Sequence, residues 1–324
     1  MMVAPKLKSD DEIRIVAPSQ SAGILSEDTI NKAVEQLSAL GLHVTFGAHV
    51  YEHDIVDSSS IESRIEDLHA AFRDPNVKGV LAVIGGYNAN ELLPFLDYEL
   101  IRENPKVFCG YSDTTALSLA IWAKTGVVTY SGPSFSSFGM VAGQAYQREC
   151  FVQCVMESAP FSIQEPVTWS DDKWYIDQEK RHFRANGGLQ VYSEGAAEGT
   201  VIGGNLCTVN LLQGTEYMPD ITDSILFLED DFLTNAGTFA RDLTSLLQQP
   251  GADTIRGLVI GKFQDASGIT DQLLRAILDK HPILKQIPVV YNASFGHIQP
   301  IFTFPVGGTA SLDTAAPSLV FQKH

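Results

Sequence analysis

Short apolar runs alternate with amphipathic stretches along the first half of the chain. Residues 12–17 and 79–84 have the apolar, β-branched composition of strands, whereas 26–40 and 60–73 repeat apolar residues at helical spacing. This alternation is typical of βαβ units and predicts a parallel sheet. The run at 79–84 is apolar throughout, as expected for a strand that is buried on both faces.

The pattern changes in the middle of the chain. Periodicity fades between about residues 158 and 199, where charged residues, glycines and aromatic residues are mixed, and it resumes at Thr200. A chain of 324 residues is also longer than one hydrophobic core usually serves. We therefore predict an N-terminal α/β domain over 1–160, a linker and substrate loop over 161–199, and a C-terminal domain over 200–324.

The composition and the net charge of the chain indicate which classes of protein and of partner are compatible with it. Hydrophobic residues make up 44% of the chain and charged residues 19%, which suits a folded globular protein. The 22 Lys and Arg residues against 39 Asp and Glu residues give a net charge of −17, which repels nucleic acids and anionic membranes. The start of the chain is polar and acidic, and no run of 18 apolar residues occurs, so we expect a cytoplasmic protein.

Metal and cofactor motifs are weak or missing. Residues 49–53 match the H-x-x-E-H pattern of zinc proteases, but their surroundings predict strand and loop, not the helix that would align both histidines. Neither a dinucleotide-binding nor a triphosphate-binding glycine motif is present. The four cysteines form no C-x-x-C pair and fit reduced thiols. We expect no metal ion and no cofactor.

A serine lies in a sharp turn between a predicted strand and a predicted helix. Ser112 follows the strand at 106–110, in a turn that would expose its hydroxyl group and leave the next N–H group, that of Asp113, free. Thr114 replaces the second glycine of G-x-S-x-G, which disfavours an ordinary α/β-hydrolase. A helix-capping serine is the structural alternative for Ser112.

Three further features could complete a hydrolytic site. Gly85 and Gly86 follow a strand, and they either let a backbone N–H group reach a substrate oxygen or form a plain turn. His297 lies in a loop after an apolar strand, which suits a general base or a histidine bonded to backbone. Glu229 opens a run of three carboxylates after another strand, a place for the acid that orients the base.

Seven short motifs occur in order along nearly the whole chain. They are Gly85-Gly86-Tyr87, Asn104-Pro105-Lys106, Gly110-Tyr111-Ser112-Asp113, Gly132-Pro133, Gly203-Gly204-Asn205-Leu206, Leu228-Glu229-Asp230, and Gly296-His297 with Pro300 and 305–307. In these motifs the chain resembles the family of serine peptidases that comprises the LD-carboxypeptidases and the microcin C immunity proteins.

The resemblance implies a fold and a site. The fold is a Rossmann-like or flavodoxin-like parallel-sheet N-terminal domain followed by a smaller C-terminal α/β domain, and family members are usually homodimers. The site is a triad of Ser112, Glu229 and His297 in the cleft between the domains. We expect backbone N–H groups of Asp113 and of Gly85 or Gly86 to bind the oxyanion.

The loop at 169–186 resembles that of the microcin C immunity branch, in which aromatic residues contact a nucleotide-like substrate. Trp174 is the first candidate for stacking on a base and Trp169 the second, although both could simply anchor the loop. Asn205 is a candidate to position substrate, or else stabilises a turn.

Three functions remain open at this point. The first is hydrolysis of an aminoacyl nucleotide of the microcin C type through an acyl-enzyme, which would confer antibiotic immunity. The second is removal of the terminal D-alanine from murein tetrapeptides in cell-wall recycling. The third is a catalytically inactive homologue that only binds a small ligand.

Overall fold

The computed structural model describes residues 1–324, which form eight α-helices, sixteen strands and several short 3₁₀ turns. The helices are α1 (Glu27–Ser38), α2 (Ile61–Arg73), α3 (Tyr98–Glu103), α4 (Thr115–Thr125), α5 (Gln144–Val155), α6 (Leu206–Leu211), α7 (Ala236–Leu246) and α8 (Asp271–Leu278). The strands are β1 (Glu12–Val16), β2 (His43–Phe46), β3 (Val77–Ala82), β4 (Val107–Gly110), β5 (Thr129–Ser131), β6 (Phe161–Ser162), β7 (Thr168–Trp169), β8 (Arg184–Ala185), β9 (Gln190–Ser193), β10 (Ala196–Asn205), β11 (Ser224–Glu229), β12 (Gly257–Gly261), β13 (Val289–Ala293), β14 (Phe304–Val306), β15 (Thr309–Asp313) and β16 (Ser318–Lys323).

The first sheet has six strands in the order β14-β5-β4-β3-β1-β2. Strands β1 to β5 run parallel to one another, and β14 pairs with β5 in the antiparallel sense. The order β2-β1-β3-β4-β5 is that of flavodoxin-like sheets, in which ligands bind where the order reverses. That point lies between the carboxyl ends of β1 and β3, and the predicted parallel α/β architecture is confirmed.

The second sheet has eight strands in the order β6-β16-β15-β10-β11-β12-β13-β9. Its centre, β10 to β13, is parallel, and the flanking pairs are antiparallel. Strands β6 and β9 come from the segment predicted as linker, 161–199, while β14 returns from the predicted C-terminal domain to the first sheet. The chain therefore crosses between the two sheets more than once.

Local signals explain where the helices begin. The hydroxyl of Ser26 accepts a hydrogen bond from the N–H of Thr29, and Ser60 caps α2 in the same way. Both helices turn an apolar face toward the first sheet, and buried apolar side chains from both sheets form one contiguous core. No helix is both long enough and apolar enough to span a bilayer.

Candidate active site

The nucleophile candidate lies where β4 passes into α4. Residues 112–114 form one 3₁₀ turn, and Ser112 has a φ of +61°, in the left-handed region that residues other than glycine rarely adopt. Such a turn between a strand and a helix is the arrangement of a nucleophile elbow. The local structure thus follows the strand, turn and helix that the sequence predicts.

Ser112, His297 and Glu229 form a continuous hydrogen-bonded chain. The Oγ of Ser112 is 3.0 Å from Nε2 of His297, and Nδ1 of His297 is 2.7 Å from Oε2 of Glu229. Ser112 follows β4 of the first sheet, Glu229 ends β11 of the second sheet, and His297 follows β13 of the second sheet. The order of contacts is that of nucleophile, base and orienting acid.

Burial and charge set the protonation of this histidine. Glu229 is 2% exposed, and the side chain of His297 is 18% exposed. Burial acts to lower the pKa of His297, but the charge of Glu229 and its hydrogen bond outweigh burial, and the pKa rises above its usual value. When His297 is neutral, a proton on Nδ1 bonds to Glu229 and leaves Nε2 to accept the proton of Ser112.

Gly85, the first residue of the glycine pair after β3, lies directly against Ser112. A Cβ atom on Gly85 would lie 2.8 Å from Cβ of Ser112 and 3.6 Å from the backbone nitrogen of Asp113. Gly86 has a φ of +152°, a conformation that side chains disfavour. The structure therefore brings Gly85 close to Ser112 and Asp113, whereas Gly86, the next residue, faces Ser19.

Asn205 and the acidic run after β11 are linked. The Oδ1 of Asn205 accepts from the N–H of Thr208 and so caps α6, and its Nδ2 donates to Oδ1 of Asp230 at 3.3 Å. Both polar ends of this side chain thus have protein partners. Burial, followed by the charge of Glu229, raises the pKa of Asp230 to about 7, so this carboxyl group keeps part of its proton near neutral pH.

The two tryptophans lie in different cavities. Trp174 is 9% exposed and lines a cavity of about 320 Å³ together with apolar residues that include Ile84, the residue before Gly85. Trp169 lines a cavity of about 160 Å³, and the guanidinium of Arg184 lies 4.1 Å from the centre of its ring. The cavity that Trp174 lines therefore adjoins the glycine loop beside Ser112.

Sequence reasoning missed two residues that touch this site. The ring of Tyr111 packs against that of His297 with centroids 5.3 Å apart, and Ser19 hydrogen-bonds to the carboxylate of Asp113. Ser19 follows β1 at the point where the strand order of the first sheet reverses. The flavodoxin-like alternative that the resemblance implies could have pointed to Ser19, because ligands bind to such sheets where the strand order reverses.

Two family models and several known proteins match this chain over most of its length. Residues 13–132 match the model of the LD-carboxypeptidase N-terminal domain, and residues 198–312 match that of the LD-carboxypeptidase C-terminal domain. The chain is 50% identical to YocD of Bacillus subtilis, a carboxypeptidase by provisional name, over 96% of both chains. It is 32% identical to the microcin C7 self-immunity protein MccF of Escherichia coli, over 96% of this chain and 93% of MccF. It is 27% identical to a murein tetrapeptide carboxypeptidase of Pseudomonas aeruginosa, over 94% of each.

Several solved structures are similar to this chain over nearly its whole length. An MccF-like protein from Bacillus anthracis superposes with a TM-score of 0.99 at 52% identity and covers 100% of both chains. MccF in complex with glutamyl sulfamoyl guanosine superposes with a TM-score of 0.90 at 30% identity, over 99% of this chain and 98% of MccF. MccF has also been solved in complex with aspartyl sulfamoyl adenosine, with a TM-score of 0.91 at 30% identity, over 100% of this chain and 99% of that one.

Proposed function

This chain belongs to the LD-carboxypeptidase family of serine peptidases, and we propose that Ser112, His297 and Glu229 are its catalytic triad. The observation that carries this proposal is the chain of two hydrogen bonds, 3.0 and 2.7 Å long, that joins the three side chains across the two sheets. Residue types alone would leave the geometry open, whereas these distances fit proton transfer.

The reaction proceeds through an acyl-enzyme. Nε2 of His297 takes the proton of Ser112 as Oγ attacks the substrate carbonyl, and Glu229 stabilises the imidazolium that forms. The N–H groups of Asp113 and of Gly85 or Gly86 bind the oxyanion. His297 then gives its proton to the leaving nitrogen as the amide bond breaks. Water, activated by the same histidine, hydrolyses the ester and releases Ser112.

We propose an aminoacyl nucleotide of the microcin C type as substrate, cleaved at the bond between the aminoacyl group and the nucleotide part. MccF, which binds aminoacyl sulfamoyl nucleosides, supports this choice because it is similar to this chain over nearly its whole length. The cavity of about 320 Å³ beside the glycine loop supports it as well, because Trp174 offers an aromatic wall to a base. Cleavage would make the protein a factor of antibiotic immunity.

The second candidate is removal of D-alanine from a murein tetrapeptide. It is favoured by the relative from Pseudomonas aeruginosa, which is named for that activity and matches over 94% of the chain. The same triad would attack the amide bond before the terminal residue, with D-alanine as leaving group. The two candidates differ in the group that occupies the cavity beside Trp174, since a murein peptide has no base to stack.

Product analysis by mass spectrometry separates these possibilities. Wild type, Ser112→Ala and Ser118→Ala are each incubated with aspartyl sulfamoyl adenosine and a murein tetrapeptide together. Ser118 is a matched control because it is a buried serine, 1% exposed, on the helix that follows Ser112. We expect sulfamoyl adenosine to be released by wild type and Ser118→Ala but not by Ser112→Ala.

The other outcomes are equally informative. Release of D-alanine alone, again dependent on Ser112, would select the carboxypeptidase. Turnover by folded Ser112→Ala at the rate of wild type would remove Ser112 from the mechanism, because loss of a triad serine reduces kcat about 10⁶-fold elsewhere. Release of neither product by wild type would bring back the ligand-binding alternative.

A further inference from the structure

The side chain of the residue after the nucleophile makes contacts that the triad does not explain. Asp113 is 3% exposed and forms no salt bridge. One of its oxygens, Oδ2, accepts two hydrogen bonds, from Oγ of Ser19 at 2.6 Å and from the backbone N–H of Ala89 at 2.8 Å. A buried carboxylate without a cationic partner is unfavourable unless such donors hold it.

We infer that the Asp113 carboxylate is a positioning residue that holds the glycine loop against the nucleophile turn and so shapes the oxyanion hole. This inference rests on the proposed function. Asp113 lies in the turn after β4, Ser19 follows β1, and Ala89 follows the glycine loop after β3. One oxygen therefore ties together the carboxyl ends of three neighbouring strands.

The contacts around Ser19 show how closely these segments fit. The hydroxyl of Ser58 donates to the backbone oxygen of Ser19 at 2.7 Å, and the N–H of Gln20 donates to the backbone oxygen of Gly85 at 3.2 Å. A Cβ atom on Gly86 would collide with Oγ of Ser19. The glycine loop is thus enclosed by the segment after β1 on one side and by the nucleophile turn on the other.

This arrangement matters most in the transition state. The N–H groups proposed for the oxyanion hole belong to two separate loops, so their spacing depends on what joins the loops. Loss of one oxyanion donor lowers kcat about 10²- to 10³-fold in a serine protease. Asp113→Ala loosens a donor without deleting it, so we expect kcat to fall about 10- to 100-fold, with a much smaller change in KM.

The conservative variant gives a sharper test. Both hydrogen bonds go to the same oxygen, so the carboxamide oxygen of Asp113→Asn can accept both of them. We therefore expect Asp113→Asn to recover most of the kcat that Asp113→Ala loses. Ser19→Ala removes one of the two donors and should lower kcat by a smaller factor, about 3- to 10-fold.

A matched control separates positioning from general stability. Asp67 is a buried carboxylate of the same domain, 4% exposed, and accepts from the backbone N–H of His49 at 3.0 Å. It lies on α2 and touches none of the residues of the site. Asp67→Ala should lower the melting temperature much as Asp113→Ala does but leave kcat per folded molecule within about three-fold of wild type.

The assay measures kcat and KM per folded molecule on aspartyl sulfamoyl adenosine and, in parallel, on the murein tetrapeptide. The inhibition constant of a boronic acid that forms a tetrahedral adduct with the serine is measured too. For Asp113→Ala, this constant should rise by the factor by which kcat/KM falls, because both report on oxyanion binding.

The outcomes separate this inference from the proposed function. A kcat for Asp113→Ala within about three-fold of wild type, with Ser112→Ala inactive, would overturn the inference and leave the triad standing. If Asp113→Asn loses as much kcat as Asp113→Ala, the inference would also be overturned. The negative charge of Asp113, and not the position of its acceptor oxygen, would then be what the site needs. If Asp113→Ala does not fold, Ser19→Ala decides, and wild-type kcat there overturns the inference. An active Ser112→Ala would instead overturn the proposed function.

Discussion

Replacement of Glu229 by glutamine tests the triad with the least change in shape. The carboxylate is 2% exposed and contacts only one partner in the triad, Nδ1 of His297 at 2.7 Å. The amide keeps the size of the side chain but removes its charge. It can also present an N–H group to Nδ1, which would force the ring proton onto Nε2. In that tautomer His297 cannot accept the proton of Ser112.

The structure allows the size of the effect to be estimated. Two unit charges about 4 Å apart interact by about 4 kcal/mol at an effective dielectric constant of about 20, so removal of the Glu229 charge takes away a large attraction for the imidazolium. Once that charge is gone, burial acts on His297 unopposed by Glu229 and lowers its pKa. We expect the acid limb of kcat/KM to move to lower pH, and kcat to fall about 10⁴-fold, as in another triad with the corresponding amide.

The assay is a pH profile of kcat/KM for wild type, Glu229→Gln and Asp231→Asn. In wild type the acid limb should lie above the ordinary histidine pKa, since the base must be neutral and the pKa of His297 is raised. Asp231→Asn removes a nearby charge without a contact to the ring, so it should shift the limb slightly and keep most of kcat. A Glu229→Gln enzyme within about ten-fold of wild type, or with an unmoved acid limb, would refute the reasoning.

The remaining predictions concern substrate binding, the glycine loop and the core. Trp174→Ala should raise the KM for aspartyl sulfamoyl adenosine about ten-fold or more in steady-state kinetics, because stacking on a base contributes about 1–3 kcal/mol. Trp169→Ala should change the KM for this substrate and the KM for a murein tetrapeptide by the same factor. Gly85→Ala should lower kcat at least about ten-fold with an intact circular dichroism spectrum, because the new methyl group would crowd the nucleophile. Phe227→Ala should lower the free energy of unfolding in urea by about 3–5 kcal/mol because the ring is fully buried, whereas Phe232→Ala, half exposed, should change it by less than about 0.5 kcal/mol. Equal effects of the two tryptophan variants, or of the two phenylalanine variants, would contradict the corresponding prediction, and an unchanged kcat for Gly85→Ala would contradict the prediction for the glycine loop.

Much of the first domain could be predicted because its signals are local. The helix expected at 60–73 is found at Ile61–Arg73, and the strand expected at 79–84 is found at Val77–Ala82. A capping serine and a continuous apolar run depend only on neighbouring residues. In the segment 161–199, by contrast, strands are two to four residues long until β10 begins, too short for a period to show.

The candidate site was predictable in its residue types more than in its support. The triad candidates follow strands, and the carboxyl ends of parallel strands meet at one edge, so their convergence could be expected. The two contacts of the Asp113 carboxylate could not, because Ser19 and Ala89 are distant in the sequence and meet it only once β1, β3 and β4 are paired. Asn205 carries a cap and a link to Asp230 at once, which a turn motif does not reveal. The homodimer stays a prediction that light scattering would test.

The residues of the proposed triad come from two sheets, so the geometry of the triad depends on how the two sheets are placed. His297 lies between β13, which belongs to the second sheet, and β14, which pairs with β5 of the first. The histidine loop is therefore held at one end by each sheet. The backbone N–H of Asn205 adds a direct link, since it donates to Oγ1 of Thr115 just beyond the nucleophile turn. The 3.0 Å contact between Ser112 and His297 therefore depends on these crossings between the two sheets.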